Sequence, residues 1–322
     1  MTNSPLSGEQ TTITHGPYSA TIAAVGAALR VLTHDGRDLV VPFEADEIRP
    51  VFRGAILVPW PNRVVDGTYT FDGVDYQLPL TEPARGHALH GFLAWARYTV
   101  IDRSDSSVTL TADVVPNDGY PWPLTIEVTY ALGDDGLTTT VAATNTGSSE
   151  APYGTAPHPY LRAGEGHVDD WTLELPASQV VTVTEERLLP VAVEPVDGPG
   201  AGSPLGVFDF QAPRVIGETF IDHAFTGLTR DDSGVARVVV RAPGEGGVGV
   251  GSGAGSGVSM TWGTELPWVQ VHTADRPEAA LNRVGLAVEP MTCPPDAFST
   301  GDDVVRLAPG ATHRAAWTIA AL

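Results

Sequence analysis

His158 lies between two prolines in the segment Gly154-Thr-Ala-Pro-His-Pro-Tyr-Leu161. Proline locks its own φ and stiffens the chain around it. A stiff backbone keeps a proton donor aimed, although a turn histidine with no chemical role has the same local setting. Glu289 closes an apolar run in Gly285-Leu-Ala-Val-Glu-Pro-Met291. A carboxyl at the edge of a buried strand is harder to ionise, which suits a general base working near neutral pH. An exposed strand-end glutamate is the plain alternative. Arg63 follows Asn62 in Val58-Pro-Trp-Pro-Asn-Arg-Val-Val65. A guanidinium beside an amide makes a donor fork for paired hydroxyl or carboxylate oxygens, or else an ordinary loop arginine. In Gly86-His-Ala-Leu-His-Gly91, His87 and His90 stand three apart. No third ligand follows at metal-site spacing, so the pair reads as structural or polar rather than metal-binding.

These groups need elements to hold them, and the pattern is that of strands. In Leu124–Leu132, Leu124, Ile126, Val128, Tyr130 and Leu132 alternate with Thr125, Glu127 and Thr129. Ser107–Val114, Trp171–Leu175 and Leu137–Ala143 alternate in the same way. A period of two marks a half-buried strand, and the abundant Val and Thr suit it. Asp35-Gly36, Asp72-Gly73 and Asp135-Gly136 each lie between apolar stretches and predict tight hairpins, which need positive φ. The 27 prolines and 35 glycines leave no room for long helices. Strands run from about Thr21 to Leu322 without a linker. The expectation is one all-β domain over residues 1–322, a large antiparallel β-sandwich, with residues 1–15 as a loose tail.

Pro243–Gly257 reads PGEGGVGVGSGAGSG. It contains a formal G-x-G-x-x-G at Gly244, Gly246 and Gly249, but more glycine follows where a helix must open, so it predicts a flexible hairpin tip rather than a nucleotide site.

The formal charge is −21, from 18 Lys+Arg against 39 Asp+Glu. Such a surface repels nucleic-acid phosphates and anionic lipid and favours a neutral small-molecule substrate. The single cysteine, Cys293, allows neither an intrachain disulfide nor a cysteine-rich metal site. It reads as a buried thiol. The polar N-terminus lacks a signal core, and no apolar run approaches a membrane span of about 20 residues. The expected setting is the cytoplasm, as a monomer or homodimer.

From about Gly16 onward the chain resembles the galactose mutarotase (aldose 1-epimerase) family. Pro59-Trp-Pro-Asn-Arg63, followed by Asp66-Gly-Thr-Tyr69, looks like that family's first motif. Leu89-His-Gly91 and Pro157-His-Pro-Tyr160 look like its two histidine motifs. Ile221-Asp-His-Ala-Phe225, Val269-Gln-Val-His-Thr273 and Val288-Glu-Pro-Met291 are similar to its aspartate, glutamine and base motifs. Six short motifs in the family's order are hard to obtain by chance. The resemblance implies a large antiparallel β-sandwich and no cofactor. It implies Glu289 as general base and His158 as general acid. Asn62, Arg63, His90, Asp222 and Gln270 would hold sugar hydroxyls, with Tyr160 lining the same pocket. His158 would carry a proton while Glu289 is ionised, giving a bell-shaped rate profile. The chain departs from the better-known members after His90, where a single glycine precedes Phe92, and after His158, where Pro-Tyr-Leu follows. These departures look like a divergent bacterial branch and leave the sugar open. Rival readings are a hexose-6-phosphate epimerase, a non-catalytic carbohydrate-binding protein, and a glycoside hydrolase using Asp222 and Glu289.

Overall fold

The computed structural model describes residues 4–198, 204–244 and 256–322. Its architecture is all-β, and the paired strands among the described residues run antiparallel. Among the described residues the largest sheet has nine strands. Its centre is the run Ser107–Val114, Leu124–Gly133, Gly136–Asn145, Thr312–Ala321 and Gly257–Trp262, each hydrogen-bonded to the next. A six-stranded sheet has the spatial order Tyr160–Leu161, Leu286–Met291, Trp268–His272, Asp222–Leu228, Ala177–Val183 and Pro190–Pro195. One contiguous core takes Ile126 and Val128 from the first sheet and Val269, Val271, Leu286 and Val288 from the second. The single α-helix among the described residues is Ala297–Thr300. None of the helices there is long and apolar enough to cross a membrane.

Alternation decides these strands. Leu124, Ile126, Val128, Tyr130 and Leu132 are all buried, while Glu127 between them is exposed. On the outer face Thr109 and Thr129, directly opposite one another, join their hydroxyls at 2.9 Å. Two of the three Asp-Gly pairs form the expected hairpins. Asp35 and Gly36 have φ of 49° and 79°, and Asp72 and Gly73 have 50° and 79°, the positive pair that matches strand twist. The third differs. Gly133 pairs with Gly136, so the turn is Asp134-Asp135 and Gly136 belongs to the strand. A Cβ on Gly136 would stand 2.3 Å from the Ile319 carbonyl oxygen. That glycine answers a close backbone approach rather than a turn.

The expected loose tail to residue 15 is corrected by the structure. Gln10–His15 is a strand paired with Tyr18–Ala23, in a sheet that continues through Ala28–His34 to Arg37–Asp38. Ile13 is fully buried, and Ser7 donates both its amide and its hydroxyl to the Ala45 carbonyl. One apolar residue among threonines is enough to dock the segment, because the outward positions of an outer strand stay polar. Of the glycine-rich segment, residues 245–255 lie outside the described residues. The strands on either side pair from Ala236 and Trp262 to Arg241 and Gly257.

Candidate active site

The six-stranded sheet turns one face to the core and carries titratable groups on the other. In Trp268–His272, Val269 and Val271 enter the core, so Gln270 and His272 point the opposite way. In Leu286–Met291, Val288 enters the core and Glu289 faces out. Gln270 and Glu289 are direct cross-strand partners. Asp222 starts the next strand and lies opposite His272, with Ala224 opposite Gln270. The small Ala224 leaves room for Gln270 to reach diagonally and donate to Asp222 Oδ1 at 2.8 Å.

His158 comes from a different element. Pro157 pairs with Ile56, and His158 itself is held by its amide to Ala55 O at 2.9 Å and its carbonyl to Gly54 N at 2.8 Å. Between two prolines and with both backbone groups bonded, its ring has a fixed origin. It stacks between Phe52 and Tyr160, at 6.2 and 5.2 Å, with His90 edge-on at 5.2 Å. Its Nε2 stands 3.4 Å from Glu289 Oε1. Thus the structure brings the two candidate proton carriers face to face, both almost wholly buried.

Several polar atoms here have no protein partner. Glu289 Oε2, His158 Nδ1, His90 Nδ1 and Gln270 Oε1 are all buried without a hydrogen bond. Buried polar groups are nearly always paired, and four such atoms within and beside the pair leave hydrogen-bonding capacity that the protein itself does not fill.

The electrostatics reverse one expectation. Burial holds the His158 imidazolium down to a pKa of about 3, helped by His272. Burial, reinforced by Asp222 and opposed by Arg63, holds the Glu289 carboxyl well above its ordinary value. In the protein alone the pair therefore keeps its one proton on Glu289, not on His158, because an ion pair in this dry setting costs more than two neutral groups. His90 is also held neutral, first by burial and then by His158 and Arg63. Asp222 stays ionised: burial would raise its pKa, but His272, Arg63 and the Gln270 hydrogen bond together lower it.

The remaining predicted residues are placed as follows. Asn62 and His90 both adopt left-handed backbone, with φ of 53° and 62°, and the His90 amide donates to Asn62 O at 2.9 Å. Gly91 follows because a Cβ there would lie 2.0 Å from Val58 O. Asn62 uses its Oδ1 on the Arg63 amide. Tyr160 donates its hydroxyl to Val51 O at 3.1 Å and offers its ring to His158. Arg63 acts electrostatically on both Asp222 and Glu289, and Glu82 fills its Nε–Nη2 edge (2.7 and 3.1 Å) but not its Nη1.

A match to the aldose 1-epimerase family model extends over residues 9–320. The chain belongs to the aldose 1-epimerase family. The Escherichia coli protein YihR, itself described as uncharacterized, is 36% identical over 98% of this chain and 94% of its own. A rat galactose mutarotase is 30% identical over 59% of this chain and 56% of its own. Among solved structures, a galactose 1-epimerase from Lactobacillus acidophilus superposes with a TM-score of 0.77 over 97% of this chain and 94% of its own, at 17% identity. An aldose epimerase homologue from C. elegans gives 0.79 over 97% and 98% at 21% identity. At those identities the likeness establishes the fold, a galactose mutarotase-like sandwich. Family and fold together make the protein a carbohydrate epimerase of the isomerase class.

Two further residues that the sequence draws attention to, His87 and Cys293, lie outside this arrangement. His87 is fully buried with Nε2 against Arg187 O at 3.0 Å, and among the described residues no group of three His, Cys, Asp or Glu side chains could hold a metal ion. Cys293 is buried, and burial pushes its thiol up to about 12. Two neighbours of the pair are not among the residues that the sequence singles out. His272 follows Gln270 by two, so strand alternation already puts it on the same face. Phe52 touches both His90 (4.7 Å) and His158 from a turn in which Val51 and Phe52 have φ of 42° and 59°. Nothing in a Val-Phe dipeptide signals that conformation.

Proposed function

We propose that this protein is a mutarotase: it interconverts the α and β anomers of a free aldose, with Glu289 as base and His158 as acid. The observation that carries the reading is the buried 3.4 Å contact between His158 and Glu289, ringed by buried polar atoms that lack partners. In the working form the Glu289 carboxylate takes the proton of the C1 hydroxyl while His158 delivers its proton to the ring oxygen. The bond from C1 to the ring oxygen breaks, leaving a neutral open-chain aldehyde. Rotation about C1–C2 and reclosure with the roles exchanged give the other anomer and return both protons. Sugar hydroxyls donating to Glu289 favour its ionised form. This draws the pair's proton onto His158, so substrate binding assembles the reactive tautomer. Asp222, held by Gln270, and the Nη1 corner of Arg63 suit hydroxyl recognition. A two-carboxylate hydrolase built on Asp222 and Glu289 would leave the imidazole in contact with Glu289 without a role.

The test is polarimetry on freshly dissolved α-D-glucose and α-D-galactose, comparing wild type with Glu289→Gln. Faster equilibration by the wild type alone supports the reading. Equal, uncatalysed traces for both proteins on a panel of free aldoses reject it and leave a phosphorylated sugar or simple binding.

A further inference from the structure

Beside Arg63 of the proposed mutarotase stands a residue that the family motifs leave without a role. Glu82 clamps Arg63 side-on, Oε2 accepting from Nε at 2.7 Å and Oε1 from Nη2 at 3.1 Å, with both side chains nearly buried. Among the described residues no protein group bonds the remaining Nη1. Glu82 is held firmly. Its amide donates to His87 O and its carbonyl accepts from Gly86 N, each at 2.9 Å. Arg85 gives the carboxylate a second cation at 2.9 Å. The loop is latched from outside by Arg187, which donates to Arg85 O at 2.9 Å and pairs with Asp66, while its carbonyl meets buried His87. The strand Arg63–Val65 pairs with His87–Leu89, so clamp and arginine share one small frame. His87 thereby secures the loop that carries the clamp.

We propose that Glu82 is the positioning residue of Arg63, aiming its free Nη1 corner at the sugar and offsetting its charge beside Glu289. An unclamped arginine has several rotamers, whereas bidentate pairing leaves one orientation and sets against the guanidinium a carboxylate charge that Glu82 shares with Arg85. The charge matters because Arg63 is the cation that opposes the rise of Glu289. The titratable groups facing Glu289 are His158 from its proline-flanked turn, Asp222 and His272 from the neighbouring strands, Tyr160, and Arg63, with His90 behind His158. The pair works with one proton, so activity falls on the alkaline side when Glu289 loses it. Removing the Glu82 charge stabilises the Glu289 anion and moves that limb to lower pH.

The test measures kcat, KM and their pH dependence for α-D-glucose and α-D-galactose, with thermal unfolding as control, in wild type, Glu82→Gln, Glu82→Asp, Arg63→Gln and the Glu82→Gln/Arg63→Gln double variant. For Glu82→Gln we expect KM to rise at least about threefold, the loss of one charge-assisted contact or more, and the alkaline limb to fall by about half a unit or more. Glu82→Asp keeps the charge but shortens the reach, so KM rises while the limb stays. In the Arg63→Gln background the Glu82 change no longer raises KM, whereas the limb still moves because the lost charge acts on Glu289 through space. A folded Glu82→Gln protein with wild-type KM and profile overturns the proposal, as does the same rise in KM without Arg63. If Glu82→Gln does not fold, Glu82→Asp decides, and an unchanged KM there overturns it. A wild type inactive on all free aldoses defeats the mutarotase reading itself, so the two failures are told apart.

Discussion

The two faces of the strands Trp268–His272 and Leu286–Met291 differ by a shift of one residue and obey opposite rules. On the core face Val269, Val271, Leu286 and Val288 are fully buried and apolar. On the other face Gln270, His272 and Glu289 are nearly as buried, yet polar, and Glu289 and Gln270 each keep an oxygen without a partner. Alternation makes this possible, because a strand cannot move one face without moving the other. The core face therefore supplies the rigidity that lets the opposite face hold unsatisfied polar groups in place. Stability and chemistry share a backbone but not side chains, and substitutions should separate them.

The sharpest separation is at Glu289. Replacing it with Gln should cut kcat/KM by about 10²–10⁴-fold, the usual range for a general base. The fold should survive or gain: a carboxyl with a raised folded pKa contributes its stability below its ordinary pKa and loses it as pH rises through the shifted value, so at pH 8 the amide spares the protein an ionisation it resists. Thermal unfolding at pH 5 and pH 8 checks this, and a variant less stable at both refutes the division of labour. The mirror experiment is Leu286→Ala on the core face. It should cost about 2–5 kcal/mol in denaturant unfolding while kcat of the remaining folded protein stays within a few-fold of wild type. A kcat loss as large as that of Glu289→Gln would mean that the core face takes part in the chemistry.

His158 gives a comparison along the pH axis. Its folded pKa of about 3 lies below the ordinary imidazole value, so the unfolded chain takes up its proton first. Stability from this group is complete above about pH 6.5 and is lost as pH falls toward 3. Between pH 6.5 and 5 the wild type should lose about 1–2 kcal/mol more than His158→Asn. Parallel stability curves for the two proteins would show that His158 is not held neutral in the fold.

How much of this is legible in the sequence follows the range of each interaction. The strand Leu124–Gly133 and the turns at Asp35 and Asp72 are local matters of alternation and positive φ, and they read correctly. Asp135 reads one residue off, because Gly136 serves a contact with Ile319, 183 positions away in the chain, which no local pattern records. Gln10–His15 reads as tail since its polar threonines conceal the single apolar anchor, Ile13. The candidate acid and base are legible through motifs, but their protonation is not, since burial from every side decides it. Glu82 is invisible for a similar reason: an acidic residue in a polar loop reveals nothing until Arg63 is folded against it.

The smallest effect is expected at His272, and it refines where the chemical face ends. Its Nδ1 lies 3.3 Å from Ile221 O, an acceptor only, so Nδ1 carries the hydrogen and Nε2 is left to accept from Arg276 Nη2 at 3.5 Å. Asp222 Oδ1 is 3.9 Å from Nδ1, too far for a hydrogen bond but close enough for the ring to support the carboxylate electrostatically. His272 makes no contact with the proton pair and bears on it only electrostatically, by disfavouring the His158 imidazolium, so its larger effect is on binding through Asp222. His272→Gln should therefore raise KM about threefold to tenfold, equivalent to one modest hydrogen bond, with a smaller change in kcat. If instead kcat falls while KM holds, His272 acts on the His158–Glu289 pair itself, and the boundary between recognition and proton transfer runs through this strand rather than beside it.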